Sequence, residues 1–261
     1  MDASMWIAKT GLDAQQMRMS VISNNLANVN TTGFKRDRAN FEDMLYQNLR
    51  QPGGQVGPDA QSPTGLMLGT GVRIVATEKT HTQGSLVTTK NALDLAIQGD
   101  GFFQIAQPDG TIAYTRDGSF KLSATGQVVT ANGAQLQPAL AIPPNVAAIT
   151  VGQDGTVSVE LANGGGSQVI GQIQIARFAN PAGLQSMGQN LLKETQASGA
   201  PQVAAPGQAG AGSLAQGSLE ASNVNVVEEM VNMIETQRAY EINSKAISAV
   251  DGMLRFLNNN M

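Results

Sequence analysis

The sequence predicts an α+β protein with a helix near each end and a central all-β domain. Three observations support this fold class. Apolar residues recur at three- and four-residue steps near both ends, β-branched residues and glycines dominate the region from about residue 70 to residue 180, and Asp-Gly or Asn-Gly pairs punctuate that region. The two helices are expected to pair as an α-helical coiled-coil domain, which extended arms join to the β domain.

The first helix is predicted over residues 3–31. Its seam has the heptad spacing of a coiled coil and consists of Met5, Ala8, Leu12, Gln15, Met19, Ile22, Leu26 and Val29. Gly33 is expected to end this helix, because glycine readily takes the left-handed conformation that follows many helices. The basic residues Lys35, Arg36 and Arg38 are interpreted as cations that suit the dipole of a helix C-terminus, in preference to phosphate ligands.

The second helix is predicted over residues 226–257. Asn225 and Glu228 have the spacing of a capping box, with asparagine in place of serine or threonine. The seam of this helix is widened by Val227 and Ile234, and its regular positions are Val226, Met230, Met233, Tyr240, Ile247 and Leu254. Because two helices alone bury too little surface to offset their ordering entropy, the ends are expected to fold against other copies of the chain.

The middle of the chain carries the signals of an antiparallel β domain. Strands are predicted over residues 94–97, 101–105 and 171–175. Tight turns are predicted at Asp100-Gly101, Asp109-Gly110, Asp117-Gly118, Asn132-Gly133, Asp154-Gly155 and Asn163-Gly164. Two connecting stretches, residues 51–70 and 196–219, are rich in small and polar residues and have the composition of linkers.

These patterns divide the chain into five parts. The predicted boundaries are 1–35 for the N-terminal helix of an inner domain, 36–75 for an extended arm, 76–195 for the β domain, 196–221 for a return linker and 222–261 for the C-terminal helix.

Composition excludes several kinds of function. The net charge of −4 does not favour nucleic-acid binding, and no apolar run of about 18 residues predicts membrane insertion. The chain has no cysteine and one histidine, His81, which is interpreted as a surface or hydrogen-bonding residue. No catalytic, cofactor or metal site is therefore predicted, although a secreted enzyme or a β-domain adhesin remains an alternative class.

Asn24, Asn25 and Asn28 form a polar cluster near the end of the first helix. Asparagine is a poor residue inside a helix, because its side chain competes for backbone groups. The cluster has two interpretations from the sequence: a solvated face near a helix end, or a hydrogen-bonding surface between subunits or along a channel.

Several longer motifs resemble those of one protein family. Residues 22–35 (ISNNLANVNTTGFK) resemble the N-terminal signature of the bacterial flagellar rod and hook axial proteins. Two C-terminal segments resemble the matching C-terminal motifs of the same family: residues 220–230 (EASNVNVVEEM) and residues 235–241 (ETQRAYE). Residues 93–103 and 114–120 are similar to motifs of the family's β domain. Residues 46–70 resemble an insertion typical of members from the distal part of the rod; a proximal rod or hook-type member is the alternative.

This resemblance implies a structural subunit of a tubular helical drive shaft, which transmits torque from motor to hook and encloses the export channel. The seams and motifs together give a predicted self-assembly set of Leu12, Met19, Ile22, Asn24, Asn25, Leu26, Asn28, Gly33, Phe34, Val226, Met230, Met233, Ile234, Tyr240, Ile247 and Leu254. A rod-stiffening arm is predicted to use Tyr46, Leu49, Arg50, Pro52, Gly53 and Gly69.

The resemblance also implies partners and a location. The expected partners are copies of the chain itself, proximal rod proteins, the hook protein, the surrounding ring (bushing) proteins, the rod cap and the flagellar export apparatus. The expected location is the flagellar basal body in the periplasm. Export without a cleavable signal peptide is expected, because the first residues carry neither a basic leader nor a long apolar stretch.

Overall fold

The computed structural model of the protein describes residues 3–53, 55–57, 60–61, 63–162 and 166–259. The chain divides into two compact units. The helical unit comprises Met1–Leu26, Asp37–Glu78 and Asn225–Met261, and the β unit comprises Ala27–Arg36 and Lys79–Val224. Two terminal helices and a central β-rich region are therefore present, as predicted.

The helical unit contains two long helices and three ribbons of two strands each. The helices are α1 (Ala3–Ala27) and α2 (Val226–Asn259), and the strands are β1 (Asp37–Asp43), β2 (Gln47–Arg50), β3 (Gln55–Gly57), β4 (Ala60–Gln61), β5 (Leu66–Leu68) and β6 (Val72–Lys79). Strand β1 pairs with β6, β2 with β5, and β3 with β4. The region predicted as an extended arm thus contains a long, interrupted β ribbon.

Helix α1 ends at Ala27, four residues before its predicted end. The chain then turns, with the Thr31 amide donating to the Asn28 carbonyl at 3.1 Å. The Thr31 hydroxyl also donates to the Asn28 side-chain oxygen at 3.2 Å. Side chains of this kind bond locally and compete with helical backbone bonds, which explains the early end.

Helix α2 begins at the predicted cap. The Asn225 side-chain oxygen accepts the amides of Val227 at 3.0 Å and Glu228 at 3.4 Å. These bonds satisfy two of the amide donors that every helix leaves unpaired in its first turn, and the capping function predicted for Asn225 is confirmed.

The β unit is built from short antiparallel strands. They are β7 (Leu86–Thr88), β8 (Leu95–Gln98), β9 (Phe102–Ala106), β10 (Ile112–Thr115), β11 (Lys121–Leu122), β12 (Val128–Val129), β13 (Gln135–Gln137), β14 (Val146–Val151), β15 (Thr156–Leu161), β16 (Ser167–Gln172), β17 (Ile175–Arg177), β18 (Gln185–Gly188), β19 (Leu191–Lys193), β20 (Gln202–Ala204), β21 (Ser213–Gln216) and β22 (Ser218–Glu220). A single-turn 3-10 helix covers Pro181–Gly183.

The largest sheet of the β unit has nine strands. Its main path runs β11-β12-β13-β9-β10-β19-β18, and β17 pairs with both β9 and β20. The other sheets are β14-β15-β16, β21-β8 and β22-β7. The stretch whose composition predicted a return linker supplies β20, β21 and β22, so it is an ordered part of this unit.

Strand β9 lies at the centre of the core and is buried on both faces. Phe103 and Ile105 belong to the larger apolar cluster, whereas Phe102 belongs to a second cluster with Tyr114 and Phe178. This division follows from strand geometry, because successive side chains point to opposite faces. Two packed layers on one sheet give the β unit its stability.

Three of the predicted tight turns join paired strands. Asp109-Gly110 joins β9 to β10, Asn132-Gly133 joins β12 to β13, and Asp154-Gly155 joins β14 to β15. These predictions are confirmed. Asp100-Gly101 and Asp117-Gly118 connect strands that are not paired with each other, so their prediction as hairpin turns is wrong. Asn163-Gly164 lies outside the described residues.

The predicted strand over residues 171–175 is also wrong. Strand β16 ends at Gln172 and β17 begins at Ile175. Between them, the amide of the buried Ile173 donates to the Gly155 carbonyl at 2.8 Å, which takes the chain from one sheet to the next. Residues 171–175 alternate between polar and apolar without interruption, so the sequence pattern does not show that the chain changes its partner strand between β16 and β17.

Candidate functional site

Three charged residues form an ion-pair cluster inside the β unit. The Lys35 ammonium lies 2.6 Å from Glu220 Oε1, and an Arg116 guanidinium nitrogen lies 3.3 Å from Glu220 Oε2. The three side chains are between 0% and 4% exposed. Lys35 belongs to the N-terminal signature and Glu220 to the C-terminal one, so this cluster joins the two motifs.

Backbone groups complete the bonding of the cluster. Lys35 donates to the Thr82 carbonyl at 2.8 Å, and Glu220 Oε1 also accepts the Gly84 amide at 2.9 Å. Arg116 donates to the Gly99 carbonyl at 2.6 Å. Buried charges are costly unless they are paired and hydrogen-bonded, and this network meets that requirement for Glu220 through three separate donors.

Asn223 adds a neutral tie between the same chain segments. Its side-chain oxygen accepts the Arg36 amide at 2.7 Å, and its side-chain nitrogen donates to the Thr80 carbonyl at 2.8 Å. The Thr80 amide in turn donates to the Arg36 carbonyl at 2.8 Å. One asparagine therefore binds both the segment that follows α1 and the segment that follows β6.

Two glycines allow these segments to approach closely. Gly33 has a φ of +68°, and a Cβ there would lie 2.7 Å from the Arg116 carbonyl carbon. A Cβ on Gly84 would lie 2.0 Å from the Ala221 carbonyl oxygen. Any larger residue would push the backbones apart, and at Gly33 it would also be strained.

Burial lowers the pKa of two members of the cluster and of the neighbouring His81. Burial lowers the pKa of Lys35, although the adjacent Glu220 carboxylate opposes that shift. Burial likewise lowers the pKa of Arg116. The pKa of His81 falls to about 4, first because the ring is buried and then because Lys35, Arg116 and Lys79 are close. His81 is half-buried, packs edge-on against Phe102 with ring centroids 5.6 Å apart, and forms a hydrogen bond with the Pro181 backbone. Of its two interpretations, surface residue or hydrogen-bonding residue, the second is therefore confirmed.

The interpretation of the basic residues after α1 is wrong. Lys35 is a buried ion-pair partner eight residues beyond the end of α1. Arg38 lies in β1 and pairs with Glu78 at 2.7 Å. Sequence reasoning missed Glu220 and Arg116 as members of the site, although both lie within the motifs that carried the family resemblance.

Within the helical unit, polar side chains take part in two contacts between α1 and α2. The Asn25 amide nitrogen lies 3.4 Å from Glu229 Oε2, and Asn25 and Glu229 are 1% and 3% exposed. Farther along, a Cβ on Gly11 would lie 3.2 Å from the Asn243 amide nitrogen. Thr236, between these two points on α2, is completely buried.

The structure places the predicted self-assembly residues in different environments. In the N-terminal segment Ile22, Asn25 and Gly33 are buried, Leu12, Met19, Leu26, Asn28 and Phe34 are half-buried, and Asn24 is exposed. In α2 Met233 and Ile247 are half-buried, and Val226, Met230, Ile234 and Tyr240 are exposed. Leu254 lies in α2, and its side chain is outside the described part of the structure.

The predicted arm residues lie along the β2–β5 ribbon. Tyr46 is 58% and Leu49 is 60% exposed, and Arg50 ends β2. Pro52 and Gly53 form the turn after β2. Gly69 lies beside the Tyr46 ring, which is 3.5 Å from the position of a Cβ at residue 69. The ribbon therefore exposes the side chains of Tyr46 and Leu49.

Among the described residues, no group of three or more His, Cys, Asp or Glu side chains is arranged to hold a metal ion. A search of the same residues finds no helix whose length and hydropathy would let it span a bilayer.

Comparison with known proteins places the chain in a family. The profile described as Flagella basal body rod protein matches residues 5–35, that of the Flagellar hook protein FlgE/F/G D1 domain matches residues 96–159, and that of the Flagellar basal body rod FlgEFG protein C-terminal matches residues 215–260. The flagellar basal-body rod protein FlgG of Buchnera aphidicola subsp. Schizaphis graminum is 56% identical over 97% of this chain and 98% of the relative. The chain belongs to the FlgG family.

Other FlgG proteins are similar over comparable lengths. The protein from Borreliella burgdorferi is 47% identical over 98% of this chain and 97% of its own, and that from Bacillus subtilis is 39% identical over 98% of each chain. A crystal structure of the Helicobacter pylori flagellar hook protein FlgE2 matches 61% of this chain and 47% of its own with 17% identity and a TM-score of 0.26, too little similarity to compare the folds.

Each of the three regions matched by these rod and hook profiles contains one charged residue of the ion-pair cluster. Lys35 ends the N-terminal match, Arg116 lies in the central match, and Glu220 lies in the C-terminal match. The cluster is therefore where the three recognisable parts of the FlgG chain are bonded together.

Proposed function

We propose that this chain is a structural subunit of the bacterial flagellar rod, which assembles with copies of itself through its two terminal helices. Relatives that match nearly the whole chain are named flagellar basal-body rod proteins, which supports this role. The FlgG relationship favours the distal part of the rod.

One observation carries the assembly proposal: in the part of the chain that the structure describes, α2 exposes an apolar face. Val227, Met230, Val231 and Ile234 are between 49% and 71% exposed. At about 100° per residue they lie on one side of the helix, opposite the buried Glu229 and Thr236. This apolar side of α2 therefore lies away from Glu229, which contacts Asn25 of α1.

The exposed face is large enough to drive association. Burying one aliphatic side chain stabilises a complex by about 1.5–3 kcal/mol. Helix α1 adds Trp6 and Met17, which are 44% and 43% exposed. Monomeric proteins rarely expose contiguous apolar patches of this kind, and such patches commonly mark protein–protein contacts.

The arrangement supports an open polymer. The terminal helices pair as an inner coiled-coil domain, and their outward faces contact neighbouring copies. One face of each copy contacts a different face of the next copy. Such heterologous contacts generate a helical tube, whereas contacts between identical faces would give a closed dimer. The β unit occupies the outer layer, and the tube encloses the export channel and transmits torque from motor to hook.

The finer roles follow from the same assignment. The five parts defined above become an inner N-terminal helix, an arm, an outer β domain, a return segment and an inner C-terminal helix. The arm contacts adjacent copies and stiffens the tube. Proximal rod proteins, the hook protein, the ring proteins, the rod cap and the export apparatus are the other partners, and the periplasmic part of the basal body is the location.

A catalytic function and an adhesin function have less support. The single histidine is packed against Phe102 and has a pKa of about 4, so it is a poor base at neutral pH. Relatives over the whole chain are rod proteins, and an adhesin would not require an exposed apolar face on a terminal helix.

The proposal is tested by placing a charge on the apolar face. The variant Ile234→Asp is expected to remain folded but to form no tubes, because a carboxylate would have to be buried between copies. Negative-stain electron microscopy of the concentrated protein measures tube formation, and circular dichroism measures folding. Ser248→Asp, at an exposed polar position of α2, is the matched control. Tubes of normal number and length in Ile234→Asp would contradict the assignment.

A further inference from the structure

The buried Asn25 side chain bonds three chain segments at once. Its oxygen accepts the Asp37 amide at 2.9 Å, and its nitrogen donates to the Asp37 carbonyl at 2.9 Å and to Glu229 Oε2 at 3.4 Å. It therefore connects α1 to the first residue of β1 and to the first turn of α2. Neighbouring Asn24 is exposed and donates to the Asp37 side chain at 3.2 Å.

The two contact points between the helices define an antiparallel register. Gly11 faces Asn243 and Asn25 faces Glu229. The two contact residues are fourteen positions apart in each helix. The register is therefore the same at both contacts, which are about four helical turns apart. In this register Thr236, which is fully buried, faces Arg18.

The residues along this contact are unusual for a helix pair. Gly11 with Asn243 and Asn25 with Glu229 form two contacts between the helices, and buried residues of α1 also include the apolar Ala14 and Ile22. An apolar seam tolerates a shift of one turn, because one aliphatic contact replaces another. A shift of one turn would break the buried Asn25–Glu229 bond, whereas the two bonds from Asn25 to Asp37 would hold Asn25 in place on α1. A single buried asparagine is known to set register in coiled coils.

We propose that Asn25 sets the register of α1 against α2 within each subunit, and that this register decides which side chains of α2 face neighbouring copies. The second clause rests on the proposed function. A shift of one turn would move Glu229 to face Val21 and would place Asn25 against the cap of α2. The outward face of Val227, Met230, Val231 and Ile234 would then be displaced along the tube relative to α1.

The absence of cysteine makes the register directly measurable. In the full-length monomer at low concentration, the pair Gly11→Cys and Asn243→Cys reports the observed register by disulfide formation with copper phenanthroline. Pairs of Gly11→Cys with Ala239→Cys or Ile247→Cys report a shift of one turn in either direction. Disulfides need close Cα atoms, so each pair is selective.

Asn25→Ala is expected to slow formation of the Gly11–Asn243 disulfide about tenfold and to speed a shifted pair, while circular dichroism retains the helix signal. Asn24→Ala, one position away, is the matched control and should leave all three rates unchanged. Glu229→Gln, which keeps an oxygen acceptor for Asn25, should retain the observed register, whereas Glu229→Leu should not.

Two results would overturn the proposal. The first is an unchanged Gly11–Asn243 rate in Asn25→Ala. The second is equal loss of all three disulfides together with loss of helix signal, because Asn25 would then support folding without selecting register. Since the measurement is made within one chain, failure of tube formation does not affect it. A shifted register with normal tubes would remove only the link to assembly.

Discussion

At the residue scale, Glu220 binds residues from separate segments of the β unit, near the points where the chain enters and leaves that unit. Its carboxylate is completely buried and binds Lys35, Arg116 and the Gly84 amide. A buried ion pair adds little net stability compared with apolar residues, but removal of one partner leaves the others uncompensated. The cluster therefore specifies which chain segments come together.

Glu220→Ala is expected to destabilise the protein by about 3–5 kcal/mol, because Lys35 and Arg116 would remain buried without their counter-charge. Urea unfolding followed by circular dichroism measures this loss. Glu160→Ala, at an exposed position of β15, removes the same charge and should change stability by less than about 0.5 kcal/mol. Similar stabilities for the two variants would show that the cluster does not require its carboxylate.

The lowered pKa of His81 leads us to expect a loss of stability in acid. Its folded pKa of about 4 lies below the ordinary histidine value of 6.5, so the unfolded chain binds a proton before the folded one does. Stability from this residue is complete above pH 6.5 and is lost as the pH falls towards 4. At pH 4.5 the loss relative to pH 7 is about 2 kcal/mol.

The variant His81→Gln should lack this part of the pH dependence. Urea unfolding at pH 7 and at pH 4.5 measures it as the difference between wild type and variant. Carboxylates titrate in both proteins and cancel in that difference. An identical fall in stability for the two proteins would mean that His81 titrates normally in the folded state.

At the element scale, α1 and α2 divide their surfaces in a similar way. Each has a side with buried residues that include Asn25 and Ile22 on α1 and Glu229 and Thr236 on α2, and α2 keeps an apolar side exposed. The heptad positions predicted from the sequence include both sides, because a 3–4 spacing identifies apolar periodicity and not the partner. Met230 and Ile234 are exposed where Met233 is half-buried, although all three belong to the predicted seam.

The β strands show the same limit of local patterns. The Asp-Gly and Asn-Gly predictions are confirmed where the paired strands are adjacent in sequence, as for β9 and β10. The strands β20, β21 and β22 were not predicted, because their sequence is rich in small residues. They are strands because β17, β8 and β7 provide edges for them to pair with.

At the scale of the whole molecule, residues 46–70 form a segment whose two ends lie close together, so the segment can be deleted and its ends joined by a short turn. The Met44 amide donates to the Gly71 carbonyl at 2.8 Å, and the Thr70 hydroxyl donates to the Leu45 carbonyl at 2.7 Å. The chain on either side is therefore adjacent. Leu45, at 90% exposed, shows that this surface is available to another molecule.

Replacement of residues 46–70 by an Asn-Gly turn is expected to leave the subunit folded and the tube more flexible, because contacts between adjacent copies would be lost. Bending in electron micrographs gives the persistence length, and thermal unfolding of the monomer is the folding control. An unchanged persistence length in tubes of the variant would contradict the stiffening role of the arm.

Local sequence patterns are sufficient to predict the two terminal helices, the cap at Asn225, the β-rich centre, three hairpins and the family. These features depend on residues close together in the chain, whose periodicity and turn chemistry are readable directly. The pairing of Lys35 with Glu220, 185 positions away, and of Asn25 with Glu229, 204 positions away, is visible only in the folded chain. Charges and amides carry no periodic signal, so their partners are decided by which backbones the fold brings within hydrogen-bond distance.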